Sequence, residues 1–135
     1  MMDFLIPSRY QEFITLACRA LRGYDFDAIA FSGMSGALIG PPVALALGKS
    51  MILVRKPDDD THSCHRVEGD RNTRRYVILD DFVCSGDTKK RIVEGVKGFA
   101  PDAEFLGLLS VTYLDERELE RHQGSLFPLR FAGEV

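Results

Sequence analysis

The chain has 135 residues, 45% of them hydrophobic, which is enough for one complete core and too few for two full-sized ones. Its 17 Lys and Arg against 20 Asp and Glu give a net charge of −3, so there is no general attraction toward nucleic acid or an anionic membrane. No apolar run has the length of a bilayer span, the start MMDFLIPSRYQEF lacks the pattern of a secretory signal, and Cys18, Cys64 and Cys84 show no paired spacing, which together predict a single domain in a reducing, cytoplasmic setting.

Phe13, Ile14, Leu16, Ala17, Ala20 and Leu21 recur at helical spacing, with Ser8 as cap and Gly23 as stop, so residues 8–22 are predicted to form an amphipathic helix. Asp27 to Phe31 reads as a short buried strand. Ser32-Gly-Met-Ser-Gly36 ends it as a loop, and Ala37 to Leu47 follow as a helix, with Pro41 and Pro42 in or near its first turns and Gly48 as its stop. Ser50 to Arg55, SMILVR, is apolar without alternation, the pattern of a strand covered on both faces. Residues 56–75 are charged and poor in apolar groups, and are predicted as an exposed, mobile loop or a thin hairpin around Ser63 to Val67. Tyr76 to Leu79 is the next strand, Thr88 to Phe99 the next helix and Ala103 to Tyr113 the next strand. Asp115 to His122 reads as a short helix, and Leu126 to Phe131 as an extended piece whose pairing Pro128 limits. The repeated order of strand, loop and helix predicts a parallel α/β sheet.

Ligands of such sheets bind beyond the carboxyl ends of the strands. Three loops leave those ends here: Ser32 to Gly36, Arg55 onward, and Asp80 to Thr88. In the third, Ser85, Gly86, Asp87 and Thr88 lie where a helix begins. Unpaired N–H groups, the positive end of the helix dipole and two hydroxyls can converge there on one anion such as phosphate, and Gly86 permits close approach. Asp80 and Asp81 stand side by side at the end of an apolar strand, where like charges cost free energy unless they are solvated or partnered. Ribose hydroxyls, hydrated magnesium, or both would suit them, provided that the strand is already turning, since successive strand side chains point to opposite faces.

The stretch YVILDDFVCSGDT, residues 76–88, resembles the 5-phosphoribosyl pyrophosphate signature of the type I phosphoribosyltransferases: four apolar residues, two acids, two apolar residues, then a small-residue turn with Gly and Ser or Thr. The resemblance implies an open, mainly parallel sheet flanked by helices as one domain. Its core would span about residues 23–113, its small hood would come from 1–22 and 114–135, and residues 57–75 would be a flexible loop closing over the site. It implies that Asp80 and Asp81 contact the ribose and magnesium, and that Cys84, Ser85, Gly86, Asp87 and Thr88 hold the 5-phosphate. Ser32, Gly33, Met34, Ser35 and Gly36 would present backbone amides to pyrophosphate, with Arg55 and Lys56 as basic residues near it. The implied partners are 5-phosphoribosyl pyrophosphate and a nitrogen base or nucleotide, in a homodimer that binds neither nucleic acid nor membrane. Phe82 is bulkier than the usual aliphatic residue. Cys84 stands where some 6-oxopurine enzymes place an aspartate, which counts against hypoxanthine or guanine as the acceptor.

The expected activity is magnesium-dependent transfer of the 5-phosphoribosyl group to a base with release of pyrophosphate. A non-catalytic phosphoribosyl- or nucleotide-binding regulator of the same fold is the alternative. Gly33-Met-Ser-Gly-Ala37 loosely imitates a hydrolase nucleophile elbow, with Asp115 and His122 later in the chain, but its last position is Ala and the chain is short for that fold. His62 and His65 read as exposed loop histidines, and Asp58-Asp59-Asp60 as a solvated turn.

Overall fold

Among the described residues, each apolar strand run finds a neighbouring run to pair with. The computed structural model describes residues 6–56, 66–80 and 87–110. Its elements are α1 (Pro7–Leu21), β1 (Ala28–Phe31), α2 (Gly33–Leu47), β2 (Ser50–Val54), β3 (Val67–Gly69), β4 (Arg75–Asp80), α3 (Asp87–Phe99) and β5 (Glu104–Ser110). They form a five-stranded sheet in the order β3-β2-β1-β4-β5. β1 runs parallel to β2 and β4, β4 runs parallel to β5, and β3 lies antiparallel on the edge. This is the open, mainly parallel architecture that the sequence predicts.

Alternation along β1 divides the core. Ile29 and Phe31 pack with Leu16 and Leu21 of α1 and with Ile39 and Val43 of α2. Ala28 and Ala30 face the other layer, where Ile92 and Val96 of α3 meet Ile52 and Ile78. Both faces are covered, so all of β1 is buried and its sequence shows no polar alternation. Ile92 and Val96 are 0% and 1% exposed, and burial of each contributes about 1.5–3 kcal/mol.

Three expectations are corrected. First, Ser8 does not cap α1. The helix starts at Pro7, whose missing N–H is harmless in a first turn, and Ile6 holds the cap position without a side-chain bond.

Second, residues 33–36 are not a loop but the first turn of α2, so Pro41 and Pro42 lie inside the helix. Gly33, at φ 76, turns the chain within one residue, a conformation that side chains with a Cβ rarely adopt. Close packing then presses the helix onto the end of β1. A Cβ on Gly36 would stand 3.0 Å from Phe31 Cβ, and one on Gly40 would stand 2.6 Å from Phe31 Cδ1. This contact, together with burial against β1, β2, β4 and α1, offsets the donors that the two prolines remove from the helix.

Third, the polar segment, expected as an exposed loop or a thin hairpin around 63–67 and not as core, contributes a paired edge strand at 67–69, while positions 63–65 lie outside the described residues. Val67 packs against the α3 layer, and Gly69 lies against the Met51 carbonyl, where a Cβ would not fit. Asp70 then closes the turn, accepting the Asn72 N–H at 2.9 Å on Oδ1 and the Thr73 hydroxyl at 2.8 Å on its carbonyl.

The expected helix at 115–122, the extended piece at 126–131, the C-terminal part of the hood and the histidines at 62, 65 and 122 lie outside the described residues. No helix among the described residues is long and apolar enough to cross a membrane.

Candidate functional site

The β1 and β4 strands carry polar groups into the interior at their carboxyl ends. Their register runs from Ala28 opposite Tyr76 to Ala30 opposite Ile78 and, continued by two residues, sets Ser32 beside Asp80. The register of β4 with β5 pairs Asp80 with Ser110. Ser32, Asp80 and Ser110 are 5%, 6% and 3% exposed, and with Thr73 they are the buried polar residues among those described. Buried polar groups are costly unless bonded, so a row of them at one edge of the sheet is a feature that packing alone does not favour. By strand alternation the row points to the α3 side, and α3 answers it: Arg91 Nη1 donates to Ser32 Oγ at 3.2 Å. Asp80 and Ser110 are engaged as well.

Ser32 is also the N-cap residue of α2, in extended conformation at φ −148 and ψ 150, yet its side chain makes no capping bond. The first-turn amides and the positive end of the helix dipole therefore stand at the same edge as the polar row. Lys56 joins them: a Cβ on Gly33 would lie 3.2 Å from Lys56 Cε and 3.6 Å from its Nζ, so the lysine lies against the start of α2. Arg55 does not. Its Nη2 lies 3.0 Å from Glu68 Oε2 and its backbone N–H donates to the Arg66 carbonyl, which ties it to the β2–β3 ribbon. Met34 is 77% exposed in the first turn of α2, Ser35 is half-buried and Gly36 is packed under Phe31. Asp87 and Thr88 open α3. Asp81, Cys84, Ser85 and Gly86 lie outside the described residues.

A cavity of about 610 Å³ runs along α3 beside the β2–β3 ribbon, and Val54, Arg66, Asp87, Lys90 and Arg91 are among its lining. It shares Arg91 with the polar row. Among the described residues no cluster of three or more His, Cys, Asp or Glu forms a metal cage.

The shifted titrations fall elsewhere. Backbone N–H groups of Arg74 and Arg75 hold the Asp27 carboxyl below its usual range. Burial pushes the Tyr76 phenol up to about 12 and raises the Cys18 thiol.

Two residues of this edge escape sequence reading. Ser110 looks like the polar end of a strand, and only the register puts it beside Asp80. Arg91 carries a faint signal, one helical turn after Asp87 on the face that holds Ile92 and Val96 near the sheet.

No protein-family model matches the chain. Similarity to individual proteins is nevertheless extensive. The adenine phosphoribosyltransferase of a Thermoanaerobacter species is 32% identical over 127 residues, covering 78% of this chain and 70% of the relative. That of Fervidobacterium nodosum is 26% identical over 143 residues, covering 93% and 83%. Among solved structures, the adenine phosphoribosyltransferase of Saccharomyces cerevisiae, complexed with an imino-altritol bisphosphate and adenine, superposes with a TM-score of 0.59. It is 24% identical, and the match covers 78% of this chain and 68% of the yeast chain. The nucleophile-elbow resemblance has no such support, since Ser35 sits in the first turn of a helix that starts two residues earlier. The strand order, the acid at the end of β4 and the extent of the match to these relatives agree: the chain belongs to the type I phosphoribosyltransferase family of enzymes.

Proposed function

We propose that this chain transfers a 5-phosphoribosyl group from 5-phosphoribosyl pyrophosphate to adenine, releasing pyrophosphate. The observation that carries the reading is the convergence of the buried Ser32, Asp80 and Ser110 row with the start of α2 at one carboxyl edge, in a chain whose curated relatives are adenine phosphoribosyltransferases. Cys84 supports a 6-amino acceptor, because the position lacks the aspartate of some 6-oxopurine enzymes.

Breaking the anomeric C–O bond builds positive charge on the ribose and negative charge on the departing pyrophosphate. The first-turn amides of α2 and the Lys56 ammonium, which lies against that turn, would meet that negative charge. The turn before α3, with Asp87 and Thr88 at its end, would hold the 5-phosphate at a helix start. Asp80 and Asp81 would accept hydrogen bonds from the ribose hydroxyls and fix the anomeric carbon toward the acceptor nitrogen.

Magnesium fits this donor set. It is commonly held by one or two carboxylates with substrate phosphates and water, and needs no protein cage. When bound, it would neutralise charge on the pyrophosphate oxygens, and Asp80 and Asp81 are the carboxylates that would hold it. The reading includes a homodimer, for which the apolar helix α2 offers Met34 and Leu45, 77% and 75% exposed; sedimentation of the purified chain tests it.

The deciding experiment measures pyrophosphate release from 5-phosphoribosyl pyrophosphate and magnesium with adenine, hypoxanthine, guanine and orotate. Adenine-dependent release is expected. Release with another base alone overturns the acceptor, and release with none overturns the activity.

A further inference from the structure

We infer that Arg91 is a positioning residue for the pyrophosphate half of the site, acting through Ser32; the inference rests on the phosphoribosyl reading above. Serine at an N-cap ordinarily turns its hydroxyl onto an N–H of its own helix and so satisfies one of the donors at the helix start. Ser32 has the extended backbone of such a cap and makes no capping bond. Its hydroxyl instead accepts a hydrogen bond from Arg91 Nη1 at 3.2 Å, across from another element of the fold.

Two consequences follow at one place. The Ser32 hydroxyl is withheld from the α2 donors, which leaves those N–H groups for an external anion. The guanidinium also brings a permanent positive charge to an edge where Lys56 lies against Gly33, so two cations from different elements flank the start of the same helix. The site of contact is 5% exposed at Ser32, so water competes weakly for the bond.

Arg91 also links the two ligand halves mechanically. It sits one turn into α3, whose start is the proposed 5-phosphate cradle, and it holds Ser32 at the start of α2, the proposed pyrophosphate cradle. α3 is anchored under this contact by Ile92, which is fully buried. A shift of α3 would therefore be transmitted to the α2 amides. Asp87, one turn earlier on the same helix, and Glu94, three residues later, are the acids that share the α3 cavity with Arg91.

The test uses the full chain and four variants: Arg91→Gln, Arg91→Lys, Ser32→Ala and the Ser32→Ala/Arg91→Gln double. Affinity for pyrophosphate with magnesium is measured by calorimetry, KM and kcat for 5-phosphoribosyl pyrophosphate by pyrophosphate release, and folding by denaturant titration. Arg91→Gln is expected to weaken pyrophosphate binding and raise KM by about tenfold, with a smaller change in kcat, as for loss of a charge-assisted contact. Arg91→Lys, which keeps the charge, is expected to fall between Gln and the unaltered chain. In the Ser32→Ala background the Arg91→Gln effect is expected to shrink, because the two residues act as a unit.

Unchanged pyrophosphate affinity in a folded Arg91→Gln chain overturns the inference, as do losses from Ser32→Ala and Arg91→Gln that add without coupling. If the unaltered chain binds neither 5-phosphoribosyl pyrophosphate nor pyrophosphate, the phosphoribosyl reading fails and takes this inference with it. Binding by the unaltered chain that Arg91→Gln leaves intact removes this inference alone.

Discussion

The two ends of the sheet use similar residues for opposite purposes. At the amino end, Asp27 Oδ2 accepts the N–H groups of Arg74 and Arg75 at 2.9 and 3.0 Å, and the Arg75 side chain lies 3.3 Å from Asp25 and 3.6 Å from Glu104. These acids and bases are exposed or half-exposed and answer one another. At the carboxyl end, the polar groups are buried, Arg91 bonds a hydroxyl, and Lys56 lies against a helix start. One end completes its electrostatics within the chain; the other gathers cations and amide donors around a buried acid, which is an arrangement suited to an incoming anion.

The hardest test of this contrast is Asp80→Asn/Asp81→Asn. Loss of the two proposed ribose acceptors is expected to lower kcat/KM by about a hundredfold or more. Circular dichroism should show the fold intact, and undiminished turnover would move the site away from the carboxyl edge.

Next in size is Gly40→Ala, which puts a Cβ 2.6 Å from the Phe31 ring directly beneath that edge. Overpacking is expected to destabilise the chain by about 1–2 kcal/mol in denaturant titration, after the helix-propensity gain of alanine is allowed for. A more stable variant would mean that Phe31 yields and that the edge is softer than its packing implies.

The two neighbouring cations sharpen the comparison further. Lys56→Ala is expected to weaken inhibition by pyrophosphate about tenfold and to reduce its salt dependence, whereas Arg55→Ala leaves binding nearly unchanged because Arg55 serves Glu68. Equal losses from both substitutions would erase the distinction drawn between them.

The smallest effect belongs to the amino end. The ionised form of Asp27 favours the fold, since its folded pKa is depressed. Its contribution is complete above the unfolded carboxylate value near pH 4 and is lost as the pH falls through the folded value. Asp27→Asn is therefore expected to cost less than about 1 kcal/mol at neutral pH, given the exposure of the group. It is also expected to remove part of the acid-induced loss seen in the unaltered chain, while activity stays unchanged.

Much of this was legible in the residues. Apolar runs without alternation announced β1, β2 and β4, because both faces of the sheet are covered, and the acid pair before a small-residue turn pointed to the edge now proposed to bind ligand. The start of α2 was misread because glycines and a following proline pair signal a loop to any local rule. What overrides them is a tertiary contact, the fit of Gly36 and Gly40 against Phe31. The strand at 67–69 was hard to read for a similar reason: one half-buried valine and one glycine fix it, and neither stands out among the charges around them. Arg91 and Ser110 became visible only through register and helix packing, which place residues distant in sequence beside Ser32 and Asp80.

The antiparallel edge strand has a consequence for how this chain tolerates change. Because β3 returns alongside β2, with the Arg55 N–H bonded to the Arg66 carbonyl at 2.8 Å, the residues that bracket positions 57–65 stand at the same rim of the sheet. A connection between two such fixed neighbours can lengthen at a loop-closure cost of only about 0.6 kcal/mol per doubling. Insertions there would leave the Lys56 and Arg66 backbones where they are. Evolution or design can therefore vary this stretch while the strand ladder beneath it holds its place.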